Sequence, residues 1–301
     1  MRILVTGATG FMGRHILRQI NDDGHDILAL GLDKIGDKEN PGRIKRLCGN
    51  MADIASLRPA IKSFDPEVVI HLAWQGIPDY SEVISLTNLN DSIRLFDFIT
   101  EETGCKKIIA SGSCFEYGKN KGVCRESDSV RITSFFSWAK YSLYRYLLLK
   151  CEQKKVVLIW FRIFYAYGPY QRDNALIPAL VGALKDGRVP EIRSPLNKND
   201  FIYAEDIAAV FGMAVGKKVE TGIYNLGSGV SRSVYDVCRI IEKYFPESSG
   251  FSESVLRHGS KEKEFDFSAD ISKTVKSFGW RPGITLEEGI SKYIEFFKRK
   301  E

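Results

Sequence analysis

The stretch SFFSWAKY at residues 134–141 contains a lysine, Lys140, which could take part in proton transfer if a hydroxyl lay one helical turn away from it. A phenol and an ammonium one helical turn apart can act together as an acid or a base, because the positive charge lowers the pKa of the phenol. Lys140 could supply the ammonium, yet four residues earlier stands Phe136, which has no proton to exchange. Tyr146 and Lys150 have the full spacing. The chemistry of the chain depends on which lysine lies in a site.

The elements that would position these residues alternate between strand-like and helix-like patterns. Continuous rather than alternating apolar runs indicate strands that are buried on both faces, as in a parallel sheet covered by helices. We therefore predict an α/β fold with a doubly wound parallel sheet (Rossmann) and, after residue 169, a smaller C-terminal α/β lobe for the substrate. The predicted strands are ILV (3–5), DILAL (26–30), EVVIHLA (67–73), KKIIAS (106–111) and VVLIWF (156–161).

Composition and charge exclude several classes of protein. The net charge of +5 is modest for 301 residues, and the basic cluster Arg43, Lys45 and Arg46 is too short for a nucleic-acid groove. The longest strongly apolar run, VVLIWF, is far shorter than the roughly 20 residues of a membrane span. The six cysteines form no CxxC and the four histidines are dispersed, so we predict no metal. The chain opens on a strand rather than a leader pattern, and we expect a cytoplasmic protein.

A glycine-rich loop follows the first predicted strand and opens an amphipathic helix. In RILVTGATGFMGRHILRQI, Gly7 permits a tight turn, Gly10 lets the backbone approach a pyrophosphate, and Gly13 lets helix and strand pack closely. The amino terminus of the helix would then present free N–H groups to the phosphates. Strand, loop and helix in this order predict a dinucleotide site.

The spacing GxxGxxG and the motifs that follow it resemble the extended short-chain dehydrogenases/reductases, in particular the NAD-dependent epimerase/dehydratase family. The resemblance covers most of the chain, and its motifs occur in the family's order. The similar segments are TGATGFMG (6–13), HLA (71–73), NLNDSIRLFDF (88–98), SGSCFEYG (111–118), RIFYAYGP (162–169), DFIYAEDIA (200–208), YNLGSG (224–229) and FGWRPGITLEEGI (278–290).

The resemblance implies two domains and a set of site residues. Residues 1–167 and 201–245 would form the dinucleotide-binding domain, and residues 168–200 and 246–301 the nucleotide-sugar domain. Ser113, Phe136 and Lys140 occupy the places of the catalytic hydroxyl, tyrosine and lysine. The expected cofactor contacts are Gly7, Thr9, Gly10, Phe11, Met12, Asp33, Lys34, Asn50, Met51, Leu72, Ala73, Asn88, Ser111, Lys140 and Phe164. The expected substrate contacts are Ser113, Cys114, Tyr165, Arg172, Arg193, Arg232 and Lys263.

The choice between NAD and NADP depends on the end of the second strand. An acidic residue there would accept hydrogen bonds from the adenosine ribose and repel a 2′-phosphate. That position falls at Gly31, with Asp33 two residues further on. Lys34 or Arg43 could neutralise a phosphate, so NADP is favoured over NAD.

The spacing to Arg162 distinguishes the two lysines. Only eleven residues lie between Lys150 and Arg162, too few for the end of a helix, a turn and a complete strand. From Lys140 both elements fit. Tyr146 and Lys150 are therefore assigned to a helix surface, and Lys140 is taken as the family lysine.

Two interpretations of Phe136 stay open. Either a tyrosine has been replaced deliberately to trap a ligand, or the chain has diverged and another hydroxyl substitutes, with Tyr165 the first candidate. The first is favoured because the other motifs are intact. Loss of the acid/base step would cost about 10²–10⁴-fold in rate.

The reaction that the resemblance favours is reduction of an NDP-4-keto-6-deoxyhexose by a nucleotide-sugar 4-ketoreductase. Cys114 and Phe115 stand where the dehydratases have Asp and Glu, which disfavours dehydration. The first alternative is a 4-epimerase with bound NAD. The alternative of another class is a non-catalytic nucleotide-binding sensor or scaffold. Helices at 88–102 and 137–152 could form the dimer contact that the family uses, so a homodimer is expected.

Overall fold

The strands and helices alternate along most of the chain in a computed structural model that describes residues 1–21, 23–33, 43–118, 121–188, 190–262 and 264–299. The strands in chain order are β1 (Arg2–Thr6), β2 (Asp26–Gly31), β3 (Ile44–Cys48), β4 (Val68–His71), β5 (Lys107–Ser113), β6 (Lys121–Cys124), β7 (Val157–Ile163), β8 (Tyr165–Tyr167), β9 (Lys198–Tyr203), β10 (Gly222–Leu226), β11 (Ser231–Ser233) and β12 (Asp266–Ala269). The helices are α1 (Phe11–Asn21), α2 (Ile54–Phe64), α3 (Glu82–Glu102), α4 (Phe135–Lys154), α5 (Leu176–Lys185), α6 (Ala204–Gly216), α7 (Val234–Glu242), α8 (Phe251–His258), α9 (Ser272–Phe278) and α10 (Leu286–Arg299).

Seven of the described strands form one parallel sheet in the order β10-β7-β5-β4-β1-β2-β3. The predicted doubly wound fold is confirmed, and the five apolar runs become β1, β2, β4, β5 and β7. The sequence did not indicate β3 and β10, which form the two edges of the sheet. An edge strand such as β3 (IKRLC) is only partly buried and carries no continuous apolar run, so its pattern is weak.

Helices cover both faces of this sheet. On one face, Ile16 of α1 and Phe211 of α6 are fully buried against residues of β1 and β7. On the other face, Phe96 of α3 and Leu143 of α4 are equally buried. Burial on both faces explains why the central strands have apolar residues at successive positions.

The switch in strand order places one crevice at the centre of the sheet. From β1 the chain passes to β2 on one side, whereas β4 lies on the other side of β1. Ligands of open parallel sheets bind at such a point, beyond the carboxyl ends of the strands. The loops that follow β1 and β4 therefore flank the expected site.

A second, smaller sheet lies outside the first and contains β11, β9, β12 and β6 in that order, with β8 pairing to β9. β6 and β11 come from segments that the sequence assigns to the dinucleotide-binding domain, so the two sheets draw on interleaved parts of the chain. The proposed domain division stays a prediction. No helix in the described ranges is long and apolar enough to cross a membrane.

Candidate active site

The loop after β1 is shaped by its glycines. Gly7 has a φ of +71°, and a Cβ at this position would lie 2.7 Å from the backbone nitrogen of Ala73. A Cβ on Gly13 would lie 2.2 Å from the carbonyl oxygen of Gly7. Neither position has room for a side chain, since the obstructing atoms belong to the backbone. The loop turns tightly and carries the chain directly into α1, which begins at Phe11.

A groove of about 650 Å³ runs from this loop across the carboxyl ends of β2 and β4. Its size and its glycine-rich wall fit a dinucleotide, whose phosphates would lie at the amino terminus of α1. Eight of the predicted cofactor residues line it, together with Arg172, which was expected to contact the substrate. The predicted residues that line the groove are Gly7, Thr9, Gly10, Phe11, Met12, Met51, Leu72 and Ala73.

The end of β2 has no carboxylate at the expected position. Gly31 is buried, and a Cβ there would lie 2.5 Å from the Thr9 methyl group. Asp33 is exposed, and Lys34 lies outside the described residues. The suggestion that Arg43 neutralises a 2′-phosphate is wrong for geometric reasons. Arg43 precedes β3, whose Ile44 pairs with Ile27, so it lies at the opposite end of the sheet and donates to the Gly24 carbonyl at 2.9 Å.

Several predicted cofactor residues have other partners. The Asn88 amide is buried; it accepts the Gln75 N–H at 2.7 Å and donates to the Gln75 carbonyl at 3.0 Å. The Asn50 oxygen accepts the Ala52 N–H and the Gln75 amide, which orders the loop beside the groove. The Phe164 ring is buried among Tyr117 and other residues behind the sheet end. None of these three residues is among those that line the groove.

Lys140 is buried in α4 beside the end of β5. Its Nζ donates to the Ser111 carbonyl at 2.9 Å and lies 4.1 Å from the centre of the Trp74 ring. Burial lowers the pKa of Lys140 to about 7, against a smaller opposing influence of Glu116. The residue is 4% exposed. Trp74 also lines the groove, so it connects the ammonium to the groove wall.

Ser113 lies at the carboxyl end of β5, where its hydroxyl accepts the Phe115 N–H at 3.2 Å. Its own N–H donates to Glu116 Oε1 at 2.8 Å. Glu116 is fully buried and also pairs with Arg162 Nε at 2.9 Å and with the Trp160 indole at 3.0 Å. The strand end that carries Ser113 is therefore fixed to β7.

Phe136 is 5% exposed and is surrounded by aromatic rings. The centres of the Tyr80, Trp74 and Phe115 rings lie at 4.8, 5.5 and 6.2 Å from its own. We call these four residues the aromatic cluster. The predicted catalytic position thus lies beside Lys140 and the groove, but in an apolar setting.

Tyr146 and Lys150 lie elsewhere, as the spacing to Arg162 predicts. The Tyr146 hydroxyl donates to Asp97 of α3. The Lys150 ammonium pairs with Asp97 at 2.9 Å and with Glu101 at 3.0 Å. The full tyrosine–lysine motif therefore joins two helices rather than forming a site.

The predicted substrate residues are not brought together as one set. Cys114 is buried beside the aromatic cluster, and burial raises the pKa of its thiol. Tyr165 packs edge-on against Phe115 at 6.1 Å. Arg232 pairs with Glu287 and lines a separate hollow in the second lobe, whereas Arg193 is 87% exposed beside Glu191. Lys263 lies outside the described residues.

Asp200 and Asp206 join separate elements of the fold through hydrogen bonds to backbone N–H groups. Asp200 is buried and accepts N–H bonds from Ser228, Gly229 and Ala269, which joins β9 to β12 and to the turn after β10. Asp206 lies in the first turn of α6 and accepts the N–H groups of residues 283 and 284. In the described ranges no cluster of three or more His, Cys, Asp or Glu could hold a metal.

Sequence reasoning missed three residues of the site. Trp74 and Tyr80 follow β4, and their position after a strand next to the switch point was the available signal. Glu116 lies between Ser113 and Tyr117, and nothing in its spacing indicates a buried ion pair with Arg162.

A parallel sheet with a glycine loop and a groove at its switch point defines a dinucleotide-binding protein of the Rossmann type. The model of the NAD dependent epimerase/dehydratase family matches residues 3–227, and the chain belongs to this family.

Named relatives share nearly the full length of the chain. The mouse dTDP-D-glucose 4,6-dehydratase is 25% identical, with 99% of this chain and 89% of that protein covered. The dTDP-4-dehydro-6-deoxyglucose reductase of Escherichia coli is 26% identical, covering 99% and 98%. MoeE5, solved in complex with UDP-glucuronic acid and NAD, superimposes with a TM-score of 0.84 at 22% identity, covering 100% of both chains. The structural likeness supports the fold.

Proposed function

We propose that the protein is a nucleotide-sugar 4-ketoreductase that acts on an NDP-4-keto-6-deoxyhexose. The observation that carries the proposal is the position of Lys140. Its Nζ donates to the carbonyl of Ser111, two residues before Ser113 on β5, and lies over the ring of Trp74, a residue that lines the dinucleotide groove. A bound reduced nicotinamide would supply the hydride for such a reaction. The reductase among the relatives supports the choice.

The chain's own residues would bind and polarise the keto group. The Ser113 hydroxyl, at the carboxyl end of β5, would donate a hydrogen bond to the keto oxygen. Lys140 would place a positive charge beside the oxygen as it becomes an alkoxide. Phe136 preserves the shape of a tyrosine but moves no proton, so the product oxygen must take its proton from another group.

Two observations favour reduction over the other reactions of the family. Elimination of water needs an acid and a base, and Cys114 and Phe115 provide neither, because the Cys114 thiol is buried with a raised pKa. A 4-epimerase must retain NAD through its cycle. The Gly31 position lacks the carboxylate that would hold the adenosine ribose.

The same position underlies the proposed cofactor, which is NADP in preference to NAD. A phosphate on the 2′-oxygen would meet no carboxylate at Gly31. Comparison of the initial rates with NADPH and NADH tests this choice. NAD that stays bound through purification, with no consumption of added NADPH, would favour the epimerase instead.

We also propose a homodimer and retain the two-domain division. Val83 of α3 and Leu149 of α4 are 71% and 59% exposed, which supports a contact through these helices. Analytical ultracentrifugation would test it, and a monomer at micromolar concentration would contradict it.

The decisive experiment restores a phenol at position 136. Phe136→Tyr should raise the kcat for reduction of dTDP-4-dehydro-6-deoxyglucose by NADPH, by about 10²-fold where no other phenol of the chain supplies the proton. Phe135→Tyr is the matched control, because Phe135 precedes it in α4 and is 48% exposed. The control should leave kcat unchanged.

The result separates the candidate functions. Reduction by neither the unsubstituted chain nor Phe136→Tyr, with the nucleotide sugar still bound, would support the sensor or scaffold. Equal turnover by both would show that position 136 does not limit the reaction.

A further inference from the structure

The loop between β4 and α3 carries a tyrosine, Tyr80, whose ring packs against that of Phe136. Its first part is held by Asn88, which bonds both backbone groups of Gln75. Its last part is held by the turn in which Asp79 N–H donates to Gly76 at 2.7 Å and the Asp79 carboxylate accepts the Ser81 N–H at 2.8 Å. Tyr80 lies within this last part, between Asp79 and Ser81, so its backbone is fixed.

The Tyr80 ring contacts two members of the aromatic cluster. Its centre is 4.8 Å from that of Phe136 at an interplanar angle of 45°, and 6.2 Å from that of Phe115 at 89°. In the described ranges it is the tyrosine whose ring contacts Phe136. Tyr80 is 37% exposed, so water can reach the residue.

Tyr165, the other phenol of the region, is less suited to proton transfer. Its ring is packed against Phe115, Phe201 and Phe267 at about 6 Å each. Burial, with smaller influences of Cys114 and Tyr80, raises the pKa of Tyr165 far above its usual value. A phenol held in this way is a weak acid with little access to solvent for reprotonation.

We propose that Tyr80 is the catalytic acid of the reaction, in place of a tyrosine at position 136; the inference rests on the proposed reductase function. The keto carbon gains a C–H bond with the hydride from a reduced nicotinamide, and the C=O π pair moves to oxygen. That oxygen takes the phenol proton of Tyr80 and becomes the product hydroxyl. The Tyr80 phenolate then takes a proton from water.

The test compares Tyr80→Phe in two backgrounds. In the unsubstituted chain it should lower the kcat for reduction of dTDP-4-dehydro-6-deoxyglucose at least about 10²-fold with little change in KM. In the Phe136→Tyr background the same change should cost less than about three-fold, because position 136 then supplies the proton. Affinity for the same compound, measured by calorimetry, should stay within about three-fold throughout.

The matched control is Tyr235→Phe. The phenol of Tyr235, on α7, donates to Glu253 at 2.9 Å, and its removal should leave kcat unchanged. An equal loss in both backgrounds, or a loss of affinity that accounts for the loss of rate, would reduce Tyr80 to a packing residue and overturn the inference. So would a larger loss of kcat with Tyr165→Phe than with Tyr80→Phe.

Failure of the inference is distinguishable from failure of the proposed function. If the unsubstituted chain is inactive and Phe136→Tyr is active, Tyr80 does not replace the missing phenol, while the reductase function stands. If Phe136→Tyr is inactive as well, both proposals are wrong.

Discussion

The glycine loop and the aromatic cluster, at the two ends of the site, differ in whether backbone or side-chain atoms form the wall. At the glycine loop, backbone atoms form the wall, and the clearance between Gly7, Gly13 and their neighbours leaves no room for a Cβ. At the aromatic cluster, side chains form the wall, and Phe136 contacts Tyr80, Trp74 and Phe115 through its ring. A binding site defined by the backbone tolerates little change, whereas a reaction site defined by side chains can change its chemistry and keep its shape.

The largest effect that distinguishes the two ends is expected from Gly13→Ala. The new Cβ would lie 2.2 Å from the Gly7 carbonyl oxygen, and the obstruction is backbone that cannot rotate away. We expect the free energy of unfolding to fall by about 3 kcal/mol or more, at the upper end of overpacking costs. Urea denaturation measures it, and titration of NADPH fluorescence should show weakened binding.

Gly182→Ala in α5 is the control, since no atom lies within 4 Å of its Cβ. The free energy of unfolding of this variant should rise by about 0.5–1 kcal/mol, because alanine loses less backbone entropy than glycine when the helix folds. Equal stability of the two variants would contradict a backbone-defined loop.

A second, smaller effect concerns Lys140 at the aromatic end. Its pKa is near 7 in the folded chain and near the usual 10.5 in the unfolded chain, so between these values the unfolded state holds more protons. Stability should therefore rise with pH in this range, by about 2 kcal/mol from pH 7 to 9 for this residue. Lys140→Met should remove that rise, as measured by urea denaturation at each pH.

Lys150→Met provides the contrast. Hydrogen bonds to Asp97 and Glu101 raise the pKa of Lys150, so its contribution is constant up to the unfolded value and is lost only above it. The difference in the free energy of unfolding between Lys150→Met and the unsubstituted chain should stay constant between pH 7 and 9. Parallel pH profiles for the two lysine variants would contradict the assigned burial of Lys140.

The smallest effect concerns the end of β2. Gly31→Asp together with Thr9→Ala, which removes the two Thr9 atoms nearest to a Cβ at position 31, should shift the NADH to NADPH preference about tenfold towards NADH, or about 1.4 kcal/mol. Thr9→Ala alone is the control for the added carboxylate. Arg43→Gln should change neither affinity, because Arg43 lies at the other end of the sheet; weaker binding of NADPH by this variant would contradict that position.

Much of the fold could be predicted because its signals are local. Continuous apolar runs indicate central strands, and GxxGxxG after β1 indicates the turn into α1. The spacing to Arg162 also separated Lys140 from Lys150, because the length of a helix and a strand is fixed by geometry.

The remainder depends on contacts between distant residues. Tyr80 reaches Phe136 because a loop anchored by Asn88 folds across the sheet end, and no spacing along the chain encodes that approach. Arg43 was assigned to the wrong end of the sheet because β3 was not recognised, and its register decides where Arg43 lies. The role of a residue that depends on strand pairing can be predicted only when the pairing is known.

The buried pair of Glu116 and Arg162 limits how the sequence can evolve. The Glu116 carboxylate accepts hydrogen bonds from Ser113, Trp160 and Arg162, and both partners of the ion pair are buried. Loss of either charge alone leaves the other buried without a partner and lowers the free energy of unfolding by about 3–5 kcal/mol. The two residues can therefore be replaced only together. Position 136 contacts other side chains through ring surfaces, and phenylalanine and tyrosine can replace each other there in one step. Descendants of this chain could therefore gain or lose the phenol repeatedly while the strand ends that frame it stay the same.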